Sequence, residues 1–215
     1  VFNQEDNGMN RGMPPSPRLA PLPPDPSLAR EFAAYEQALG FIPNSVLIMQ
    51  RRPKMVQALA QLAAAVWDPG SAVDRGFKRL LAHFASRASG CQYCMAHTAG
   101  GALRLGVDER KLDALWSYRT SPLYSEAERL ALDFALAAAA VPNDVTDELF
   151  AEMRKHWSED QMVEIVGVIA LFGFMNRWND TMATPLEAEP IEVGERFLAR
   201  GGWSAAKHVR AEPAS

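Results

Sequence analysis

The 215-residue sequence has little cysteine: two residues, Cys91 and Cys94. Two thiols cannot brace a disulfide-dense mini-protein, and a single domain of this length buries enough surface to hold a core without them. Long apolar runs are also missing. The longest are Leu130–Val141, interrupted by Asp133, and Ile165–Met175, both short of the ~20 residues that a membrane-spanning helix needs. Charge of one sign is not in excess, since 22 basic and 26 acidic residues leave a formal net charge of −4. Such a chain sets up no global field for nucleic acid or anionic lipid. The first residues lack the basic, apolar and small-residue zones of a secretory leader, and together with a free thiol pair this predicts a cytoplasmic protein. Strand-like alternation is absent, and the glycine pairs at 100–101 and 201–202 sit in no strand–loop–helix unit. No nucleotide, flavin or haem motif is visible, so no cofactor is expected.

What is present reads as helix after helix, and the predicted fold class is all-α. Ser27 opens a helix through Leu39, closed by Gly40, and Pro43-Asn44 starts a short one to Gln50. Pro53 stands at a first-turn position ahead of a Met55, Leu59, Leu62, Val66 stripe. After an Asp68-Pro69-Gly70 turn, Ser71 is expected to start a helix to about Ser89. Gly90 stops it, and a new helix runs from Cys91 to about Leu105. Asp108, Ser125, one of Asp144 and Thr146, and Ser158 then cap helices to Tyr118, to just before Pro142, to Trp157 and to Met182, with Pro185 as the final stop. A last short helix is expected over Val193–Ala199. Three segments follow. Residues 1–26 form a proline-rich arm, with prolines at 14, 15, 17, 21, 23, 24 and 26, either a disordered leader or a strap across a neighbouring subunit. Residues 27–200 form the helical domain, and 201–215 a polar tail.

Chemistry concentrates at Cys91-Gln-Tyr-Cys94-Met-Ala-His97. Residues three apart share a helix face, so both thiols and the imidazole lie on one side. At a helix start, unpaired N–H groups and the helix dipole favour thiolate over thiol. A thiolate attacks O–O or S–S bonds, and a histidine one turn on gives or takes the proton. The three residues are therefore candidate catalytic groups of a redox dithiol. Zinc is a rival reading, with His83 as fourth ligand, but structural zinc sites usually pair two short clusters, so no metal is expected. Cys91 lies nearer the helix start and should feel the dipole more, which leaves open which thiol attacks.

Gly90-Cys91-Gln-Tyr-Cys94-Met-Ala-His97-Thr98, followed by Leu103-Arg-Leu-Gly106-Val107, resembles the AhpD-like group of the carboxymuconolactone decarboxylase superfamily. Phe41-Ile-Pro-Asn-Ser45, Ser125-Glu-Ala-Glu-Arg129 and Gly173-Phe-Met-Asn-Arg-Trp-Asn179 are similar to its peroxidase-related members, so the likeness runs over about residues 27–190. The resemblance implies an AhpD-like helical bundle with the C-x-x-C at the N-terminus of a central helix. It implies a homo-oligomer (dimer, trimer or hexamer) and a thiol hydroperoxidase in antioxidant defence, recycled by an external dithiol reductant. It also implies a peroxidatic role for Cys94 and a resolving role for Cys91.

Two positions depart from the family pattern. The family glutamate about twelve residues before the first cysteine is Arg79 here, and the family histidine four residues after the second cysteine is Thr98, with His97 one earlier. Arg79 can tune a thiolate but cannot shuttle a proton. His83, one turn after Arg79, is a candidate relay in its place. Tyr93, Asn176 and Asn179 are candidate pocket residues, whereas His156 and His208 read as exposed. The expected partners are a hydroperoxide and a dithiol, with no nucleic acid and no membrane. Two other readings of the same scaffold are a redox-sensing or interaction protein and a non-redox decarboxylase-like enzyme.

Overall fold

The structure, a computed structural model, describes residues 17–209. Ten α-helices follow one another there, with 3-10 turns ahead of α1, after α6 and beyond α10: α1 Ala29–Leu39, α2 Asn44–Met49, α3 Pro53–Val66, α4 Arg75–Ala88, α5 Gln92–Arg104, α6 Glu109–Asp113, α7 Glu126–Ala139, α8 Asp147–His156, α9 Glu159–Met182 and α10 Ala188–Val193. The described residues contain no strand, as the sequence predicts, and no helix long and apolar enough to cross a membrane.

Helix starts follow local chemistry. Ser125 and Ser158 each accept from the backbone three residues on, while Glu128 and Gln161 reach back to the cap amide, the reciprocal arrangement that satisfies two orphan donors. Asp108 caps α6, and Thr146 rather than Asp144 caps α8. The expected helix from Asp108 to Tyr118 is shorter than predicted, with α6 ending at Asp113 and a 3-10 turn over Leu115–Ser117. The first helix has its cap earlier, at Asp25, which accepts from Ser27 N and leads through the 3-10 turn Pro26–Leu28 into α1.

α4 starts later than Ser71 predicts, at Arg75 with Asp74 as cap. Glu164 of α9 accepts from the amides of Ala72 at 2.9 Å and Val73 at 3.0 Å. Held in this way, Ala72 and Val73 form a bend ahead of α4. The same carboxylate pairs with the buried Lys78 ammonium at 2.9 Å, which also donates to Ser71 Oγ and Val66 O.

α4 is the centre of the bundle and packs on α5, α7 and α9. Its Phe77, Leu80, Leu81 and Phe84 are buried beside Leu132 and Phe134 of α7 and Ile165 and Val168 of α9. Each such side chain contributes about 1.5–3 kcal/mol by leaving water. α9 is apolar on both sides. Its inner face joins the core, whereas Val163 is 73% exposed on the outer face, with Val166 and Phe174 beside it.

Both ends of the described chain are tied down. Residues 17–26, the described part of the proline-rich arm, run across the chain's own helices: Leu22 N donates to Leu47 O, Gln50 Nε2 donates to Leu22 and Pro23 carbonyls, and Arg18 N donates to Met182 O. The prolines at 14 and 15 lie outside the described residues. At the other end, Trp203 and His208 are buried, and Trp203 Nε1 donates to Gln92 O at the start of α5. The expected helix over Val193–Ala199 begins earlier, with α10 at Ala188 continued by a π turn over Gly194–Leu198. Pro190 suits that early start, because the first turn of a helix needs no N–H from it.

Candidate active site

Gly90, at φ +69°, turns the chain sharply between α4 and α5, a conformation glycine adopts without strain. Cys91 follows as the cap residue of α5 in extended geometry, and Cys94 sits one turn on inside the helix. Both are buried and free. They stand three residues apart at the helix start, near enough for Cys91 to influence the Cys94 thiol.

The two thiols face different surroundings. Cys94 opens onto a cavity of about 220 Å³ between α1, α3, α5 and α9. Leu59, Ala63, Trp67, Leu171, Phe172 and Met175 make its wall largely apolar, and Tyr93, His97, Asn179 and Arg79 supply the polar groups. Asn179 Nδ2 donates to Cys94 Sγ at 3.3 Å. Cys91 does not line this cavity. Its sulfur, a carboxylate oxygen of Asp180 and a ring nitrogen of His208 lie within 4.8 Å of one another, behind the segment around Trp203.

The helix start does not dominate the Cys94 thiol as expected. Burial pushes its pKa well up, Cys91 and Asp180 push the same way, and only the Asn179 hydrogen bond pulls it down. Desolvation of a fully enclosed sulfur outweighs the partial charge of one helix turn. The resting group is therefore the neutral thiol.

His97 points to a carboxylate that the sequence reading did not single out. Its Nε2 donates to Glu187 Oε2 at 2.7 Å, while Glu187 Oε1 accepts from Tyr93 OH at 3.0 Å and Asn44 N at 2.5 Å. Burial raises the Glu187 pKa, but the His97 charge, its hydrogen bond and the Asn44 amide outweigh burial and hold the group ionised below its ordinary value. The Tyr93 ring stacks on the His97 imidazole at 4.2 Å, and Phe41 meets it edge-on at 5.6 Å. The imidazole is thus oriented on three sides. Burial, and the Glu187 charge after it, push the Tyr93 phenol far above its usual pKa, so it stays a donor.

The other predicted residues separate. Arg79 and Asn179 line the cavity. Asn176 faces the other side of α9, where it donates to Ala85 O and Ser89 Oγ and borders a second cavity of about 660 Å³ near Val141. His83 is buried behind α5 and does not line the thiol cavity. Its Nδ1 donates to Met95 O at 3.1 Å, and burial lowers its pKa to about 4. The zinc set with His83 does not assemble, since the ligand-type groups that gather near a cysteine are Asp180 and His208.

His208, expected exposed, is buried. Its Nδ1 donates to Thr184 O at 2.8 Å, and its Nε2 makes no hydrogen bond but lies 3.8 Å from Asp180 Oδ1, near Cys91; burial lowers its pKa, which favours the neutral ring. Glu187 and His208 were missed for one reason: both lie beyond the longest helix. The signal available was an acid between two prolines, Pro185-Leu-Glu187-Ala-Glu-Pro190.

Fold and site together define an all-helical dithiol protein with a carboxylate-held histidine. The carboxymuconolactone decarboxylase family model matches residues 53–137, from α3 through most of α7. The debrominase Bmp8, in a cysteine-to-alanine variant bound to 2,3,4-tribromopyrrole, is 35% identical with a TM-score of 0.79, over 83% of this chain and 96% of that one. A peroxidase-related protein from Silicibacter sp. TM1040 shares the fold at 21% identity and a TM-score of 0.70, over 85% of this chain and 97% of that one. The curated protein YnjA of Escherichia coli, whose function is uncharacterized, is 32% identical over 97 residues, or 45% of this chain and 53% of its own length. This chain belongs to the carboxymuconolactone decarboxylase family, and it shares the AhpD-like fold.

Proposed function

We propose that the chain is a dithiol oxidoreductase that reduces a small, largely apolar organic molecule. Cys94 attacks and Cys91 resolves. The observation that carries this reading is the position of Cys94, alone of the two thiols, on the wall of the apolar cavity. Organic hydroperoxides are the first substrate class. Cys94 passes its proton to His97, and the resulting thiolate attacks the terminal oxygen of R–O–OH as the O–O bond breaks. The leaving alkoxide takes a proton from His97, which Glu187 holds in place, giving R–OH and a sulfenic acid on Cys94. Cys91 then attacks that sulfur, the S–S bond forms, and water leaves. His208, whose Nε2 lies near Cys91, receives the Cys91 proton. An external dithiol restores both thiols by exchange.

A halogenated ring is the second class, and the likeness to Bmp8 favours it. Here Cys94 takes the halogen from carbon as an S–X bond, the carbon keeps the electron pair and takes a proton from His97, and Cys91 displaces halide as the disulfide closes. Either substrate accepts two electrons from the thiol pair. An apolar cavity with an aromatic wall is better suited to such molecules than to hydrogen peroxide, which has no apolar surface to bury.

Reduced protein mixed with cumene hydroperoxide, hydrogen peroxide and a bromopyrrole should lose two thiols for each substrate molecule reduced, fastest with an apolar substrate. No thiol loss with any of them would end the dithiol reading. We also propose that a second copy of the chain covers the exposed outer face of α9 at Val163, Val166 and Phe174, in line with the homo-oligomer that the sequence suggests. Monomeric protein in sedimentation at micromolar concentration would refute that.

A further inference from the structure

Arg79 is a cation in an apolar wall. Its guanidinium lies 4.0 Å above the Trp67 ring and borders the same cavity as Cys94. Among the described residues it makes no ion pair or hydrogen bond, and its Nε is buried without a partner. Its charged neighbours are of the same sign, Arg75 and Arg104. Arg104 is paired with Glu189, while Arg75 also has a buried Nε without a partner. Burial, and then these two cations, lower the Arg79 pKa to about 10, so it stays charged at neutral pH.

α5 makes room for this group. A Cβ on Gly101 would lie 2.9 Å from Arg79 Nε and 3.1 Å from its Cζ, so the guanidinium sits between the Trp67 ring and the bare helix backbone at Gly101. A buried cation without a counter-ion is costly, and the Trp67 face offsets only part of that cost. The missing partner is an anion, and the open side of the guanidinium is the cavity.

We infer that the substrate carries one acidic oxygen group, a carboxylate or an ionised phenol, on an apolar frame, and that Arg79 binds this group and aligns the frame against Cys94. This rests on the proposed function only in placing the substrate in that cavity. A guanidinium fork matches a carboxylate with two parallel hydrogen bonds, while the apolar wall opposite, Leu171, Phe172 and Met175, takes the frame. Arg79 then sets specificity, and its charge replaces that of the proton-relay glutamate which the family pattern has at this place. The carboxylate that serves the histidine comes instead from Glu187.

Binding tests this without turnover. Reduced wild-type protein is titrated with 4-methylbenzoate and with 4-methylbenzamide, which share a frame and carry no reducible group. The acid should bind at least about tenfold tighter, the range of a hydrogen bond to a charged group. Arg79→Gln should weaken the acid about ten- to hundredfold and leave the amide within about twofold. Arg79→Lys, which keeps the charge, should retain most of the preference. Equal binding of acid and amide by the wild type overturns the inference whatever the variants do, and equal loss of both ligands in Arg79→Gln reduces Arg79 to a packing group on Trp67. Thiol counting with peroxide or bromopyrrole is a separate readout, so acid selectivity without thiol loss refutes the dithiol reading alone. Thiol loss without acid selectivity refutes this inference alone.

Discussion

Cys91 and Cys94 are three residues apart on one helix start, yet each belongs to a different region of the molecule. Cys94 looks into a space walled by α1, α3 and α9, mostly carbon, with Asn179 as its one hydrogen-bond donor. Cys91 looks the other way, at Asp180 and His208, under the last turns of the chain. The first setting fits an apolar reactant. The second fits proton transfer, because a carboxylate and an imidazole stand beside the sulfur. The spacing alone leaves open which thiol attacks, and tertiary packing gives the two different surroundings.

The sharpest way to break the comparison is to remove one sulfur at a time. Cys94→Ser should abolish substrate-dependent thiol oxidation down to background. Cys91→Ser should still complete one turnover per chain and accumulate a sulfenic acid that a carbon-nucleophile probe traps. The reverse pattern would exchange the two roles. Because burial raises the Cys94 pKa, the first step in Cys91→Ser should quicken as pH rises, since the reactive thiolate becomes more populated.

Next in size are the two proton sites. Glu187→Gln keeps the shape but removes the charge behind His97. It should slow the first step by about 10²- to 10⁴-fold, the usual range for general acid–base catalysis. His208→Gln should leave that step alone and slow disulfide closure by about tenfold or more. Stopped-flow traces of sulfenate formation and of disulfide formation separate the two.

The smallest effect on rate is expected at His83, on neither side of the thiol pair. His83→Gln should leave the pH–rate profile unchanged but alter stability. The folded-state pKa of about 4 lies below the ordinary 6.5, so between these values the unfolded chain holds more protons. Stability is then fully present above about pH 6.5 and falls as pH drops toward 4, by roughly 3 kcal/mol. Denaturant unfolding across that range should show the slope in the wild type and lose most of it in His83→Gln. A changed pH–rate profile would bring His83 back into the proton relay.

What could be read from the sequence follows the reach of each interaction. Ser125, Ser158, Asp108 and Thr146 act within three residues of themselves, so the helices they start are visible in the sequence. The C-x-x-C-x-x-His face is likewise a property of one helix turn. The start of α4 is not visible in the sequence because the segment just ahead of it is held by Glu164, about ninety residues away. Glu187 and His208 escaped notice for the same physical reason: a loop acid and a histidine near the chain end acquire their roles only through contacts that span most of the chain. The Cys94 thiol was expected acidic from its helix position, and the enclosure that raises its pKa comes from helices far off in sequence.

The segment from Trp203 to His208 also has a consequence in time. The thiol pair is made early in synthesis, midway along the chain, but the indole that caps α5 and the imidazole beside Cys91 emerge more than a hundred residues later. Until then Cys91 lies open to oxidants and to mispairing with other thiols. A chain halted or clipped before Trp203 would carry the complete C-x-x-C signature without the Trp203 and His208 contacts, so the site is complete only once that segment has been made.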